Sequence, residues 1–513
     1  MQADLLSALG GSTGAVLWPV AVPLAGAALA LLLRKRATLQ RTVMEVAVVA
    51  MLVASALLLA RVAGGDVLAM AFGGWPSPFA ITFVADRLSA TMSLVASLIA
   101  LAVATYARAD VRARRRKAGF DPLFLAMLAA VNGAFLTGDV FNLYVWFELM
   151  LVTALGLVTL DRRREQVDGA LRYAAMSMMG ATFILVGIGL LYGEAGTLDM
   201  RHLAEVLRAR EPSVTLITSA YLMLAGFALK AGLFPLFFWL PASYHTAPIS
   251  SSAALAGLLT KVGFYACLRV MVLVFGLGGA AVVPGMAPLL ALVAAATMLV
   301  SILAAIAQTD VRRVLAFHVM GQVAYLAAGL ALATVAGIGA AVFYMAHTML
   351  VQTGLFLGAG AIGRANRGYD LRRAGGLMSD RPLFAATFAV LAFSISGIPP
   401  FSGFWAKYLV IDAAFRATQP WGPWLAVVAL AAGFLTLYSM SKLWTQAFWK
   451  TPMRDRHMAR RIPPAMVAAV GLMAVCTLAI GLAVEPVSRL ARDAAAQTIP
   501  APVAPVAVTE VAP

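Results

Sequence analysis

Four ionisable residues stand in or beside stretches that otherwise read as lipid-buried helix. Glu148 lies in FNLYVWFELMLVTALGLV, Lys230 in SAYLMLAGFALKAGLFPLFFWLP and Lys261 in SSAALAGLLTKVGFYACL, while Lys407 follows a broken segment, FSISGIPPFSGFWAKYLVI. A charge at the centre of a membrane helix costs about 2.5–3.5 kcal/mol on insertion scales, and residues kept there mark ion or proton pathways. The competing reading makes them structural ion pairs that staple helices together. Glu148 is a natural partner for Lys230. A buried lysine alone sheds its proton and a buried glutamate alone gains one, whereas together both stay charged. Separating the two then couples a proton movement to a rearrangement.

Three histidines extend this set. His245 sits in the polar turn LPASYHTAP between the runs that carry Lys230 and Lys261, where a group titrating near neutrality can pass protons between bulk water and the lysines. His318 and His347 lie in apolar context and are candidates for an internal relay; a backbone-bonded loop histidine and satisfied core histidines are the alternatives. Prolines interrupt two of the runs: Pro235 follows Lys230, and Pro399 and Pro400 precede Lys407. Proline removes a backbone hydrogen bond and breaks or kinks a helix. The order lysine–proline–tryptophan (Lys230, Pro235, Trp239) reappears as proline–tryptophan–lysine (Pro400, Trp405, Lys407). Interrupted helices at corresponding places in two halves point to a transporter built from inverted repeats, although simple kinks are common in membrane helices.

The elements that must hold these groups are membrane helices. Of 513 residues, 62% are hydrophobic and only 12% charged, far from a soluble domain. The apolar runs are of helix length rather than the short alternating strands of a barrel. About fourteen spans are expected, at 15–33, 43–62, 82–106, 119–138, 141–160, 170–192, 214–238, 248–275, 284–307, 313–334, 338–361, 384–413, 422–447 and 464–485. The class is all-α, with breaks in spans seven and twelve. The first run has no basic segment before it, which argues against a cleaved leader.

Loop charges order the spans. Arg34, Lys35 and Arg36 follow span one; Arg112, Arg114, Arg115, Arg116 and Lys117 follow span three; Arg162, Arg163 and Arg164 follow span five. Arg312 and Arg313, then Arg364, Arg367, Arg372 and Arg373, then Lys450, Arg454, Arg456, Arg460 and Arg461 follow spans nine, eleven and thirteen. Basic loops stay cytoplasmic, so both termini are expected on the outer side of a bacterial inner membrane. The loop after span six is mixed in sign, and the Pro/Ala/Val-rich segment after Thr498 is expected to be disordered. The net charge of +16 is thereby a matter of topology and not of nucleic-acid binding. The two cysteines, Cys267 and Cys476, lie in apolar runs, and there is no CxxC pair, metal-ligand cluster or phosphate loop. No cofactor, no metal and no catalytic residue is expected.

Four segments carry a family resemblance: DVFNLYVWFELMLVTALGLV, FALKAGLFPLFFWLPASYHTAPISSSAALAGLLTKVGFYACLRV, QTDVRRVLAFHVMGQVAYLAAGL and ISGIPPFSGFWAKYLV. They resemble the antiporter-like subunits of the multisubunit Mrp (Pha, Mnh) sodium/proton antiporters, a superfamily shared with the proton-pumping membrane subunits of respiratory complex I. Length and the FELMLV and GFWAKYL segments are most similar to the D-type subunit; the longer A-type subunit carries additional C-terminal spans.

The resemblance implies N-terminal helices over 1–118, inverted five-helix repeats over 119–275 and 276–447, a loop and last helix over 448–485, and a tail over 486–513. It implies Glu148 and Lys230 as the charge pair of one half-channel, Lys261 as a bridge, His318 and His347 in the linking axis, and Lys407 as the terminal lysine. The family often has a lysine five residues after the histidine of span eleven, where this chain has Gln352. An amide holds a water chain but not a proton, so Gln352 either supports a water wire or weakens the central link. The implied function is proton translocation within a secondary transporter. Its implied partners are other subunits, protons, sodium as the candidate cation, and the lipid bilayer. A pumping subunit of complex I or of a hydrogenase-type complex is the nearest alternative, and a non-transporting scaffold is another.

Overall fold

The computed structural model describes residues 14–73, 75, 79–279, 283–451 and 461–499. Arg454, Arg456, Arg460 and the segment beyond residue 499 lie outside the described residues. Helices α1 (Trp18–Leu32) and α2 (Ala37–Val62) lead into a short antiparallel hairpin, β1 (Leu68–Ala71) with β2 (Thr82–Ala85). Helix α3 (Arg87–Asp110) then begins five residues later than span three was expected to. The reason is local: the Asp86 carboxylate accepts from the Ser89 N–H at 2.8 Å while Ser89 Oγ accepts from the Asp86 N–H at 2.9 Å. This capping box fixes the helix start and leaves Thr-Phe-Val extended ahead of it.

The rest of the chain falls into two parallel series. The first runs α4 (Phe120–Leu136), α5 (Val140–Val158), α6 (Arg164–Ala195), a small helix α7 (Met200–Arg208), α8 (Val214–Ala231), a one-turn α9 (Trp239–Ser243) and α10 (Ile249–Arg269). The second runs α11 (Met286–Ala307), α12 (Val311–Ala331), α13 (Val335–Asn366), α14 (Pro382–Ser396), α15 (Ser402–Phe415) and α16 (Gly422–Trp444). The correspondence is detailed. Helices α6 and α13 are both 32 residues long. Helices α10 and α16 both run on into five-residue π-helical segments, Val270–Val274 and Thr445–Trp449. Isolated backbone bridges join Asp139 to Asp199 and Asp310 to Asp370, closing the same length of chain, and all four aspartates cap helix starts.

The breaks correspond as well. Helix α8 ends at Gly232 (φ 77°) and α14 at Gly397 (φ 88°), left-handed positions that suit glycine. Each is followed three residues later by a cis proline, Pro235 and Pro400. Span seven therefore stops at Ala231 instead of reaching 238, and span twelve is two helices. Helices α17 (Pro464–Leu482) and α18 (Val484–Thr498) close the described chain. Helix α18 occupies much of what was expected to be a tail, with Gln497 bonded to the Gly65 carbonyl at 3.0 Å and to the Arg87 N–H at 3.2 Å.

Among the described residues eleven helices are long and apolar enough to cross a membrane, and the apolar helices α1, α4 and α14 are shorter. The chain is a multi-pass membrane protein, and each expected run overlaps helix, with span twelve divided between α14 and α15. Helices α10, α12 and α13 are almost wholly buried, with α13 packed against α3, α10, α12, α14, α15, α17 and α18. Small residues permit that density. Gly263 of α10 lies so close to α8 that a Cβ there would be 2.8 Å from the Lys230 carbonyl carbon.

The second break is equally tight. A methyl on Gly403 would run into the Ser394 carbonyl and the His347 ring, and a backbone carbonyl cannot swing aside. Gly403→Ala is expected to destabilise the protein by about 1–3 kcal/mol, as overpacking does. Gly471→Ala, whose new methyl meets only ordinary contact at 3.7 Å, is the control. Thermal midpoints of the detergent-purified variants check this; equal midpoints would show that the break is not held by close packing.

Candidate functional site

Lys230 is the penultimate residue of α8, and only 7% of it is exposed. Its Nζ donates to Ser177 Oγ on α6 at 2.8 Å and lies 5.4 Å from the Phe147 ring centroid. The expected contact ion pair with Glu148 is not formed among the described residues, where Lys230 bonds Ser177 instead. The backbone explains this. Ser177 stands nearer on the adjacent helix α6, while Glu148 sits mid-way along α5 on a half-exposed stripe with Phe141, Val145 and Val152. Glu148 Oε1 is buried and has no hydrogen-bond partner among the described residues.

Lys261 is wholly buried in α10, and its Nζ donates to the Ala256 carbonyl at 2.7 Å. Lys407, on α15, folds back across the second break. Its stem lies against Gly397, and its Nζ donates to the Ser396 carbonyl at 3.0 Å and lies 5.6 Å from the Tyr325 ring centroid. The Ser396 carbonyl is one that the end of α14 leaves free of helical bonding. None of the three lysines forms an ion pair among the described residues.

Between the second and third lysines the polar groups are close-set. Tyr325 stacks on Tyr344 at 5.1 Å, and Tyr344 meets the His347 ring edge-on at 5.6 Å. The Tyr344 hydroxyl donates to Gln322 Oε1 at 2.6 Å. His347 Nδ1 bonds Ser402 Oγ at 2.7 Å, and Thr477 Oγ1 bonds both Ser402 and Ser394, at 2.5 and 2.6 Å. His318 Nε2 bonds Ser439 Oγ at 3.0 Å, beside a space of about 10 Å³ lined by Gln322, Ser301 and Thr436. Gln352 is fully buried in α13, yet among the described residues neither end of its amide has a partner, and the Thr348 hydroxyl one turn away has none either. Buried polar groups without protein partners are ordinarily served by water.

His245 is apart from this chain of groups. It lines a cavity of about 740 Å³, on the face expected to be cytoplasmic, with Glu165, Asp310, Arg312 and Arg313. Its Nδ1 bonds the Pro241 carbonyl at 2.7 Å. Burial, and after it the Arg313 charge, holds its pKa below the ordinary 6.5. Nearby, Arg115 grips Asp161 at 2.7 Å and keeps that carboxyl below its usual range. Among the described residues no three metal-ligating side chains converge.

Sequence reading missed Ser177, Gln322, Tyr325, Ser402, Ser439 and Thr477. A lone hydroxyl or amide in an apolar helix carries no signal of its own; only the lysine or histidine it touches gives it meaning.

Comparison with known proteins identifies the family and the fold. Residues 137–436 match the family described as NADH:quinone oxidoreductase/Mrp antiporter, transmembrane. The chain is 37% identical to the D-type subunit of the Na(+)/H(+) antiporter of Alkalihalophilus pseudofirmus, over 94% of this chain and 97% of that one. It is 30% identical to the protein of the same name from Bacillus subtilis, over 94% and 97%. Among solved structures, a chain of the Mrp complex from a Dietzia species superposes with a TM-score of 0.87 at 31% identity, covering 95% of this chain and 98% of that one. A chain of the membrane-bound sulfane sulfur reductase, an archaeal respiratory membrane complex, gives 0.87 at 26%, with the same coverage.

The Thr477 hydroxyl is the joint of the second-half network. Thr477→Val keeps its shape but leaves Ser394 and Ser402 each short of a buried partner, at an expected cost of about 1–3 kcal/mol. Thr477→Ser should restore most of the loss. Thermal midpoints of the purified variants read this directly, and an unchanged midpoint for the valine variant would mean that these hydroxyls are satisfied elsewhere.

Proposed function

The chain belongs to the NADH:quinone oxidoreductase/Mrp antiporter family, and from that premise we propose that it is the proton-carrying D-type subunit of a multisubunit Na+/H+ antiporter in a bacterial cell membrane. It is a transporter subunit rather than an enzyme. The observation that carries this reading is the row of three buried lysines without ion-pair partners, Lys230, Lys261 and Lys407, on helices long enough to span the bilayer. A scaffold has no use for three such groups, each costly to insert. The complex I alternative is less well supported, because relatives at 30–37% identity over nearly the whole length are antiporter subunits.

In this reading the two series of helices are inverted repeats over 119–275 and 276–447, preceded by the helices of 1–118 and followed by 448–485 and the remaining segment. Odd-numbered loops face the cytoplasm and both termini face outward, as the loop charges require. Protons arrive near His245, pass to Lys230, move through Lys261 to the axis of His318, His347 and Gln352, and leave at Lys407. Glu148 is the acid whose field reaches Lys230. A change in their separation alters how firmly Lys230 holds its proton, which couples proton transfer to movement of α5 against α8. The break at Pro399 and Pro400 leaves the Ser396 carbonyl free to hold Lys407, and the break at Pro235 ends α8 beside Lys230. Gln352 holds water in place where relatives of this family often have a lysine.

Glu148→Ala should lower coupled antiport by about a hundredfold or more, the usual loss when a proton-transfer group is deleted, while the complex still assembles. Collapse of the pH gradient on adding sodium to everted vesicles measures it. Wild-type exchange would remove the Glu148–Lys230 pair from the pathway.

Gln352→Leu separates stability from transport. It deletes an unpartnered buried amide, so the thermal midpoint should stay level or rise, while proton flux should fail because leucine cannot hold water. Flux equal to wild type at matched expression would show that protons do not pass this position.

A further inference from the structure

The proposed pathway leaves a gap between the cavity at His245 and the Lys230 ammonium, and the geometry there is specific. Ser177 Oγ, only 2% exposed, accepts from Lys230 Nζ at 2.8 Å. One turn earlier on α6, Tyr173 stands on the same helix face as Ser177 and is buried. The Tyr173 ring packs 5.0 Å from that of Trp239, and Trp239 in turn lies 5.7 Å from the ring of Tyr244. Trp239 is pinned by its own N–H to the Leu229 carbonyl at 3.1 Å, next to Lys230. Tyr244 is 1% exposed, its backbone is held at both ends by Leu240 and Ser252, and its hydroxyl has no hydrogen-bond partner among the described residues. The residue after it is His245, at the wall of the 740 Å³ cavity. The loop thus turns a histidine toward the cavity and a tyrosine toward the interior.

We propose that Tyr244, Tyr173 and Ser177 form the hydroxyl wire that delivers protons from this cavity to Lys230. The proposal rests on the reading of Lys230 as a proton carrier. A hydroxyl both accepts and donates, so each member takes a proton from the cavity side and passes its own inward. One O–H bond forms and one breaks at each step, and the last proton makes an N–H bond to the neutral Lys230 amine. Nothing is oxidised or reduced, and no phenolate is needed if the shifts are concerted. Water bonded to the partnerless Tyr244 hydroxyl bridges the ends that do not touch directly. A tyrosine followed four residues later by a hydroxyl residue stands at the same positions of the equally long α13, as Tyr344 and Thr348. A hydroxyl one turn from a tyrosine is therefore a property of both halves and not a local accident of α6.

The test uses the whole antiporter complex in everted vesicles, with assembly quantified for each variant. Tyr173→Phe and Tyr244→Phe keep the rings packed on Trp239 and remove one oxygen; Ser177→Ala removes the hydroxyl nearest Lys230. Each should slow sodium-driven proton flux about tenfold or more, and Ser177→Thr should rescue flux to within about twofold of wild type, since a proton-transfer partner is lost and regained. Lys230→Ala runs alongside. If Lys230→Ala is silent while the phenylalanine variants and Ser177→Ala exchange at wild-type rate, the wire is overturned and Lys230 draws its protons elsewhere. If Lys230→Ala itself exchanges at wild-type rate, the reading of Lys230 fails first. If Ser177→Thr is as slow as Ser177→Ala at equal assembly, Ser177 is a steric clamp and the wire is overturned. Should one phenylalanine variant fail to assemble, the other and Ser177→Ala decide the outcome.

Discussion

Three ammonium groups lie inside this bundle, and each is held by one uncharged oxygen: Ser177 Oγ for Lys230, the Ala256 carbonyl for Lys261 and the Ser396 carbonyl for Lys407. A single neutral acceptor leaves most of an ammonium's hydrogen-bonding capacity unused, because the group has three donors. A fully paired lysine would be a fixed staple, whereas one held this lightly can change protonation without dismantling the helices around it. Most of the surrounding architecture follows from the need to bring those oxygens into an interior that lipid keeps free of water.

The oxygens come from two sources with different structural demands. The carbonyl that holds Lys407 is freed where α14 stops at Gly397, whereas the one that holds Lys261 belongs to its own helix α10. Hydroxyls require neighbouring helices to approach closely, and the small residues permit this. Gly263 brings α10 against the backbone of α8 at Lys230, and Gly403 brings α15 against Ser394 and His347. The two requirements meet at the same places, so each lysine lies beside a break or beside a glycine contact. The parallel series of elements, down to the matched π-helical ends of α10 and α16 and the paired aspartate bridges, shows that one local solution serves both halves.

The halves differ in how far their polar groups are linked to one another. The second is knit into a continuous network through Thr477, Ser402 and His347, whereas the first offers Lys230 a single hydroxyl with Glu148 standing off on the half-exposed stripe of α5. Gln352, with both amide ends unpartnered near the centre of α13, sits where the two meet.

Apolar run length, loop charge and the placement of proline were enough to read a helical multi-pass membrane protein, its breaks and its buried charges from the sequence, because each of these is a local property that the bilayer constrains residue by residue. Glu148, Lys230, Lys261 and Lys407 were visible because a charge in an apolar run has no cheap explanation. Three things were not legible. The start of α3 at Arg87 depended on a capping box that competes with an apolar run continuing through it. Helix α18 is short and amphipathic, held by contacts with α3 and α13 that lie far away in the chain. The partners of the lysines were misjudged: opposite charge favoured Glu148 for Lys230, but α6 carries Ser177 closer than α5 carries Glu148. Hydrogen-bond partnership is decided over about 3 Å, a distance fixed by how helices from separate parts of the chain rotate and slide against one another. The sequence determines which groups must be satisfied; only the packed bundle decides which oxygen does it.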